Sequence, residues 1–176
     1  MIDEMMKWGK APVNNGLGFI FIHEPNTKVR WNFYDPDLTP VMVPDYHTHK
    51  IEFESRIIKG GLHQQIVDVH PVNSETDLHL LETSCITGKL KGVVKENVKV
   101  SLKHYSYHPV NSWYITKPMC YHRVWVQEPT ITRVTILHKD SDYNYTVKSK
   151  KKKFDCPLND YKKSERECWE IIRTFF

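Results

Sequence analysis

Two histidines separated by a single residue, His47 and His49, are the residues of this chain best suited to chemistry. Side chains in an extended strand alternate between its two faces, so both imidazoles would point the same way. Neutral imidazoles bind divalent iron, zinc, copper or nickel, and the carboxylate of Glu54 follows five residues after the pair. This spacing predicts a transition-metal site that is built on β-strands.

The segment from His47 to Gly61 also matches a known signature. It fits H-x-H-x(3,4)-E-x(6)-G, the first motif of the cupin superfamily, at every fixed position. Residues 113–126 resemble the second cupin motif, G-x(5)-P-x-G-x(2)-H-x(3)-N, but Pro118 precedes His122 by four positions instead of five. The glycine of the turn and the final asparagine are absent there. The chain therefore resembles a cupin over residues 41–138.

The resemblance implies a jelly-roll β-barrel with a mononuclear metal site. His47, His49 and His122 would be the metal ligands, and Glu54 would be a fourth. Strict alternation from His49 places Phe53 on the ligand face, so ligation by Glu54 requires a turn after the histidine pair. The chain is similar to small cupins of the thiol-dioxygenase-like kind, which commonly bind ferrous iron through three histidines. Fe(II) is therefore the expected cofactor, with zinc, nickel, manganese and copper as alternatives.

Two further residues, Arg56 and Cys120, are predicted to act in catalysis. If Glu54 binds the metal, Arg56 is the next residue on the same face, and its guanidinium could hold a carboxylate or phosphate of the substrate. Arg56 could equally pair with a structural acid. Cys120 is the neighbour of His122 that strand parity places on the ligand face.

The expected function is that of a metal-dependent enzyme, an Fe(II) dioxygenase-type oxidoreductase that acts on a small polar substrate. In a non-redox alternative, an isomerase, epimerase or lyase, the metal polarises a carbonyl while a side chain moves the proton. A third alternative is a cupin barrel that binds a nucleotide or sugar without turning it over. The sequence does not separate these classes.

The elements that would position the site are short β-strands. They are rich in β-branched and aromatic residues, and in one of them Val98, Val100 and Leu102 alternate with polar residues, as in a half-buried strand. Regularly spaced short strands favour a sandwich or barrel over a parallel α/β sheet. The predicted fold class is therefore all-β, with strands at residues 18–24, 29–34, 62–69, 78–86, 93–104, 113–116, 121–126 and 132–137.

The last part of the chain has a different character. Residues 148–176 carry the whole net charge of +4, and they begin with the basic run Lys148–Lys153. Apolar residues recur at helical spacing from Asp160 to Phe176, with Asn159 or Asp160 as the N-cap. This pattern predicts a β-barrel domain in residues 1–147, followed by a basic linker and an amphipathic helix that docks on the barrel or on a second subunit.

Composition bears on the compartment and the partners. No apolar run approaches the roughly 20 residues that cross a bilayer, and the N-terminal residues lack the basic start and apolar stretch of a signal peptide. Four widely spaced cysteines without a C-x-x-C pair favour reduced thiols. A cytoplasmic protein with a small-molecule substrate is expected, as a monomer or a homodimer. Runs of one charge are usually solvated, so the basic run is not expected to bind nucleic acid.

Overall fold

The fold is given by a computed structural model that describes residues 1–14, 18–38, 45–84, 91–139, 143–150 and 162–176. Within these ranges, eleven β-strands and two α-helices confirm the predicted all-β, jelly-roll-like fold with a C-terminal helix. In chain order the elements are α1 (Ile2–Lys7), β1 (Val13–Asn14), β2 (Phe19–His23), β3 (Val29–Tyr34), a 3-10 turn (Pro36–Leu38), β4 (Ile51–Lys59), β5 (Leu62–Pro71), β6 (Leu78–Ser84), β7 (Lys91–His108), β8 (Trp113–Thr116), β9 (His122–Trp125), β10 (Thr130–Lys139), β11 (Tyr143–Ser149) and α2 (Glu165–Arg173).

The strands form two antiparallel sheets. The first sheet has six strands in the order β1-β2-β3-β10-β4-β8, and the second has five in the order β11-β6-β7-β5-β9. His47 connects the two edge strands of the second sheet, because it forms single-residue bridges to His122 in β9 and to Thr146 in β11. We call this junction the seam. The second sheet therefore curls until its edges meet at one residue.

The first sheet is buried on both of its faces. Alternation along β3 puts Trp31 and Phe33 on the outer face and Arg30, Asn32 and Tyr34 on the inner face, which is turned towards the second sheet. Around β2, β3 and β10 the outer face is apolar and is covered by both helices, whereas the inner face carries polar groups. The buried residues of the outer cluster are Met5, Ile20, Ile22, Phe33, Ile131, Cys168, Ile172 and Phe175.

The C-terminal helix α2 packs on this outer face of its own chain. Cys168, Ile172 and Phe175 are buried there, which confirms the predicted apolar stripe. The helix begins at Glu165 and not at Asp160, because Ser164 forms a capping box with Glu167 that satisfies the first backbone N–H groups. Residues 151–161 lie outside the described residues, and this range includes Asn159 and Asp160, the predicted N-cap residues.

A two-residue turn, Gly60-Gly61, joins β4 to β5 and explains the glycines of the sequence signature. Gly60 has φ of 73°, a left-handed conformation that side chains with a Cβ adopt with strain. A Cβ on Gly61 would lie 2.1 Å from the hydroxyl oxygen of Tyr107. The fully buried Thr130 holds the turn, since its Oγ1 accepts from the N–H of Gly61 at 3.2 Å and donates to the carbonyl of Gly61 at 3.0 Å.

The structure differs from the predicted elements in a few places. The strand β11 was not predicted, and it extends to Ser149, so Lys148 of the basic run belongs to a strand and pairs with Asp45. Leu102 is 61% exposed, since the register between β5 and β7 shifts next to it and interrupts the expected alternation. Residues 151–153 of the basic run lie outside the described ranges. No helix among the described residues is long and apolar enough to span a membrane.

Candidate metal centre

His47, His49 and His122 form a compact cluster, as the sequence predicts. The three ring centroids are 4.9 Å apart in every pair, so the imidazoles form a nearly equilateral triangle. One ligand atom from each residue lies within 4.8 Å of the others. The Nε2 atoms of His49 and His122 are 3.3 Å apart. Residues that are separated by more than 70 positions in the sequence are therefore brought to one point.

The histidines are positioned by the seam and not by a continuous strand. The N–H of His47 donates to the carbonyl of His122 at 2.9 Å, and the N–H of His122 donates to the carbonyl of His47 at 3.0 Å. Thr48, which lies between His47 and His49 in the sequence, is anchored to β11, because its N–H donates to the carbonyl of Tyr145 at 2.9 Å. The strand geometry assumed for His47 and His49 is thus supplied by the neighbouring edges, since β4 begins only at Ile51.

The side chain of Thr48 completes this anchor and gives a test of it. Thr48 is 2% exposed, and its Oγ1 accepts the N–H of Tyr145 at 2.9 Å. Thr48→Val removes the acceptor of this hydrogen bond from a buried site, so we expect a loss of about 1–3 kcal/mol in the free energy of unfolding, measured with urea. Thr135→Val, on the outer face of β10, is the matched control. Equal losses in both variants would contradict a specific role for Thr48.

Two backbone carbonyls fix the orientation of the rings. Nδ1 of His47 donates to the carbonyl of Asp45 at 2.9 Å, and Nδ1 of His122 donates to the carbonyl of Cys120 at 3.3 Å. A carbonyl can only accept, so in both rings the proton is on Nδ1 and the lone pair is on Nε2. Metal-binding histidines commonly show this arrangement, in which the outer nitrogen is held by a hydrogen bond. The rings are therefore oriented as ligands.

Burial keeps all three imidazoles neutral. It lowers the pKa of His47, and it lowers the pKa of His49 well below the ordinary value, with a further contribution from His122 beside it. Burial and the neighbouring His47 lower the pKa of His122 to about 3. Metal ions bind the neutral form of histidine, and a charged ring would have to lose its proton first. At neutral pH the three imidazoles are already neutral, so none of them has to lose a second proton before it binds a metal ion.

The donor set and its dimensions fit a single transition-metal ion. Two nitrogens that each lie about 2.1 Å from one ion are separated by roughly 3.0–3.4 Å, depending on the coordination angle. The 3.3 Å between Nε2 of His49 and Nε2 of His122 falls in this range. Three nitrogens on one side of an ion leave coordination positions open on the other side. The cluster could therefore hold a metal ion and a further molecule.

The structure does not bring Glu54 or Arg56 to the cluster. Phe53 occupies the position beside His49, with its ring edge-on at 5.0 Å between centroids and an interplanar angle of 90°. Phe53 and Ser55 are buried on the inner face of β4, so alternation directs Glu54 and the exposed Arg56 to the outer face. The placement of these two residues therefore gives no support to their predicted roles.

Cys120 contributes its backbone to the site and not its thiol. Its carbonyl accepts the hydrogen bond from His122, while its sulfur is not part of the cluster. Burial raises the pKa of the Cys120 thiol, which therefore stays protonated at neutral pH. Its predicted catalytic role gains no support from this position.

Arg30 is the functional candidate that the sequence did not reveal. It lies on the inner face of β3, and its Nε atom is buried without a hydrogen-bond partner. Its positive charge contributes to the lowered pKa of His49, so the guanidinium lies in the same part of the interior as the cluster. The local sequence gives no signal for such a role, because the proximity of Arg30 to the cluster follows from the pairing of β3, β10 and β4.

The fold and the cluster together define a two-sheet β-protein with three histidines that could hold a metal ion. Comparison with known proteins does not assign it to a family, since no family model and no curated protein match the sequence. One solved structure that it resembles weakly is Drosophila melanogaster CENP-C bound to CAL1, with a TM-score of 0.35 and 7% identity over 68% of this chain and 76% of that chain. Another is the Clostridium thermocellum N-terminal endo-1,4-beta-D-xylanase 10B, its CBM22-1 and GH10 modules complexed with xylohexaose, with a TM-score of 0.17 and 7% identity over 80% of this chain and 24% of that chain. Neither likeness is strong enough to support an inference.

Proposed function

We propose that this protein is a cupin-type metalloenzyme, an Fe(II) dioxygenase-type oxidoreductase that acts on a small polar substrate. The observation that carries the proposal is the triangle of neutral histidines, His47, His49 and His122, whose ring centroids are 4.9 Å apart. The facial triad of non-haem iron oxygenases, two histidines and a carboxylate, also holds three ligands on one face of the ion and leaves the opposite positions open, and here a third histidine stands in place of the carboxylate. A bound Fe(II) ion would supply the electron transfer that dioxygen chemistry requires.

The residues around the triangle support this role because they orient the imidazole rings and exclude water from one side of the cluster. The carbonyls of Asp45 and Cys120 hold two of the rings with their Nε2 atoms directed to one point. Phe53 covers one side of His49 with an apolar ring and keeps water from that side. His47 and His49 retain some exposed surface, whereas His122 is 2% exposed. A substrate would therefore approach from the side of His47 and His49.

Metal content and dioxygen consumption test the proposal. Protein purified without chelator is expected to carry about one transition-metal ion per chain, measured by elemental analysis. After anaerobic loading with Fe(II), it is expected to consume dioxygen in the presence of at least one compound from a panel of small organic acids, thiols and polyols. Protein loaded with Zn(II) is the control and should consume none.

Each part of the proposal can fail separately. If the purified protein neither carries nor takes up a stoichiometric metal ion, the metal site is wrong. If the metal binds but Fe(II) and Zn(II) proteins behave alike, the oxidoreductase assignment is wrong, and turnover of the panel without dioxygen would indicate an isomerase or lyase. Binding of a nucleotide or sugar without any turnover would indicate a non-catalytic cupin.

A further inference from the structure

A row of inner-face residues crosses the first sheet next to the metal cluster. The register pairs Arg30 of β3 with Val134 of β10, Val134 with Ser55 of β4, and Ser55 with Tyr114 of β8. The adjacent row contains Phe53, the residue that contacts His49. Side chains two residues apart on a strand are separated by about 7 Å. The row of Arg30 therefore lies one side-chain position away from Phe53, which itself contacts His49.

The guanidinium of Arg30 is a charge without a partner in this row. Burial lowers its pKa, but the ordinary pKa of arginine is so high that the group stays charged. In the described part of the chain no carboxylate pairs with it, and its Nε is buried without a hydrogen bond. The rings of Phe21 and Phe19, at 5.2 and 6.0 Å, offset only part of the cost. A buried cation is costly unless an anion accompanies it.

Two phenols flank Arg30 and are suited to share an anion with it. Tyr34 lies on the same strand face, where it hydrogen-bonds Thr132 and Asn32, and Tyr114 lies at the far end of the row, where it hydrogen-bonds Ser55. Burial raises the pKa of both phenols, so each remains an O–H donor at neutral pH. The side chains of Arg30, Tyr34 and Tyr114 are only half-buried although they face the interior. Solvent therefore still reaches part of each of these residues.

More polar groups without partners line the same inner face. Among the described residues, Oδ1 of Asn32 and Oγ1 of Thr116 have no hydrogen-bond partner, although these residues are only 1% and 2% exposed. Buried polar atoms in native proteins are usually paired with protein, water or ligand. Together with Arg30, these groups give this part of the inner face several polar atoms that water or a polar ligand could satisfy.

We propose that Arg30, with the phenols of Tyr34 and Tyr114, binds the carboxylate of a small organic-acid substrate beside the histidine cluster. A planar guanidinium matches a carboxylate with two parallel hydrogen bonds, and the phenols supply further donors. One arginine neutralises a single negative charge, whereas a phosphate near neutral pH carries up to two. The proposal names the substrate class for the function proposed above and rests on it only for the position of the metal.

Binding of glycolate tests the proposal, with ethylene glycol as the matched probe that lacks the carboxylate. Both probes are titrated by NMR into metal-free protein and into Zn(II)-loaded protein, and inorganic phosphate forms a third arm. We expect the intact protein to bind glycolate more tightly than either of the other probes. Arg30→Met is expected to weaken glycolate binding about 10- to 100-fold, the factor for the loss of a charge-assisted hydrogen bond.

The control is Arg133→Met, the same substitution on the outer face of β10, where Arg133 lies over the ring of Trp31. It should leave glycolate binding unchanged. Arg30→Met should not lower the melting temperature, because it removes a buried charge without a partner. A purely structural arginine would give the opposite result. Arg30→Lys, which keeps the charge but loses the planar fork, should recover part of the binding, and it serves as the second variant if the methionine variant does not fold.

The outcomes separate this proposal from the proposed function. If Arg30→Met binds glycolate as well as the intact protein, or if Arg133→Met loses as much, the carboxylate site is wrong while the metal site is unaffected. If phosphate binds more tightly than glycolate through Arg30, the substrate class is wrong. If the protein binds no metal but glycolate binding still depends on Arg30, the carboxylate site stands and the metalloenzyme does not.

Discussion

The His122→Ala variant is expected to lose stoichiometric metal. His122 supplies one of the three nitrogens, and Nε2 of His122 lies only 3.3 Å from Nε2 of His49, as expected for two ligands of one ion. Changes in residues that only orient a ligand commonly weaken metal binding 10- to 100-fold, so removal of a ligand should cost more than about 100-fold. The affinity is measured by competition with a chelator of known strength.

A control and a second variant make the result specific. His138→Ala removes an exposed histidine of β10 and should leave the metal content unchanged. His47→Ala should lose the metal as His122→Ala does. Because His122 is buried, circular dichroism must show that the variant is still folded. Full metal retention in a folded His122→Ala protein would remove the triangle of histidines as the site.

Phe175→Ala is expected to cost about 3–5 kcal/mol in the free energy of unfolding, the range for removing a buried aromatic side chain. Phe175 is 1% exposed and meets Phe33 edge-on, with 5.5 Å between ring centroids and an interplanar angle of 75°. It ends the stripe by which α2 covers the first sheet. Its carbonyl also accepts from Nζ of Lys59 at 2.7 Å, so the end of the chain is held at both backbone and side chain.

The neighbouring residue provides a matched control. Phe176 is 52% exposed and lies 6.3 Å from the same Phe33 ring, so Phe176→Ala should cost about 1 kcal/mol or less. Unfolding with guanidinium chloride measures the loss in each variant. In thermal unfolding of a chain of this size, the difference should appear as a melting temperature that is roughly 10 °C lower for Phe175→Ala. Equal losses would mean that α2 does not dock on the first sheet in solution.

Local patterns predicted much of the fold, and the exceptions have physical causes. The alternation of apolar and polar residues and the turn residues were sufficient to find strands such as Val29–Tyr34 and Trp113–Thr116. The strand β11 was missed although Tyr143, Tyr145 and Val147 alternate with polar residues, because the basic run that follows was interpreted as a linker. The start of α2 was placed too early, because the capping box at Ser164 outweighs the earlier acceptor side chains.

The site was predictable where it depends on local spacing and not where it depends on register. His47 and His49 are neighbours in any extended chain, and the cupin-like motif led to His122. Glu54 was a less secure choice because strand parity already favoured Phe53, and the structure has Phe53 against His49. Arg30 could not be found, since its proximity to the cluster follows from the pairing of β3, β10 and β4, strands that lie up to about 100 residues apart in the sequence.

The double bridge of His47 places the histidine cluster at the junction of two strand edges. One residue joins two strand edges, and its neighbours on that junction are the other histidines of the triangle. Open strand edges readily pair with other chains. An ion held by the three rings would therefore also keep the edges of β9 and β11 closed. Removal of such an ion would then loosen this junction of the two strand edges as well as empty the site.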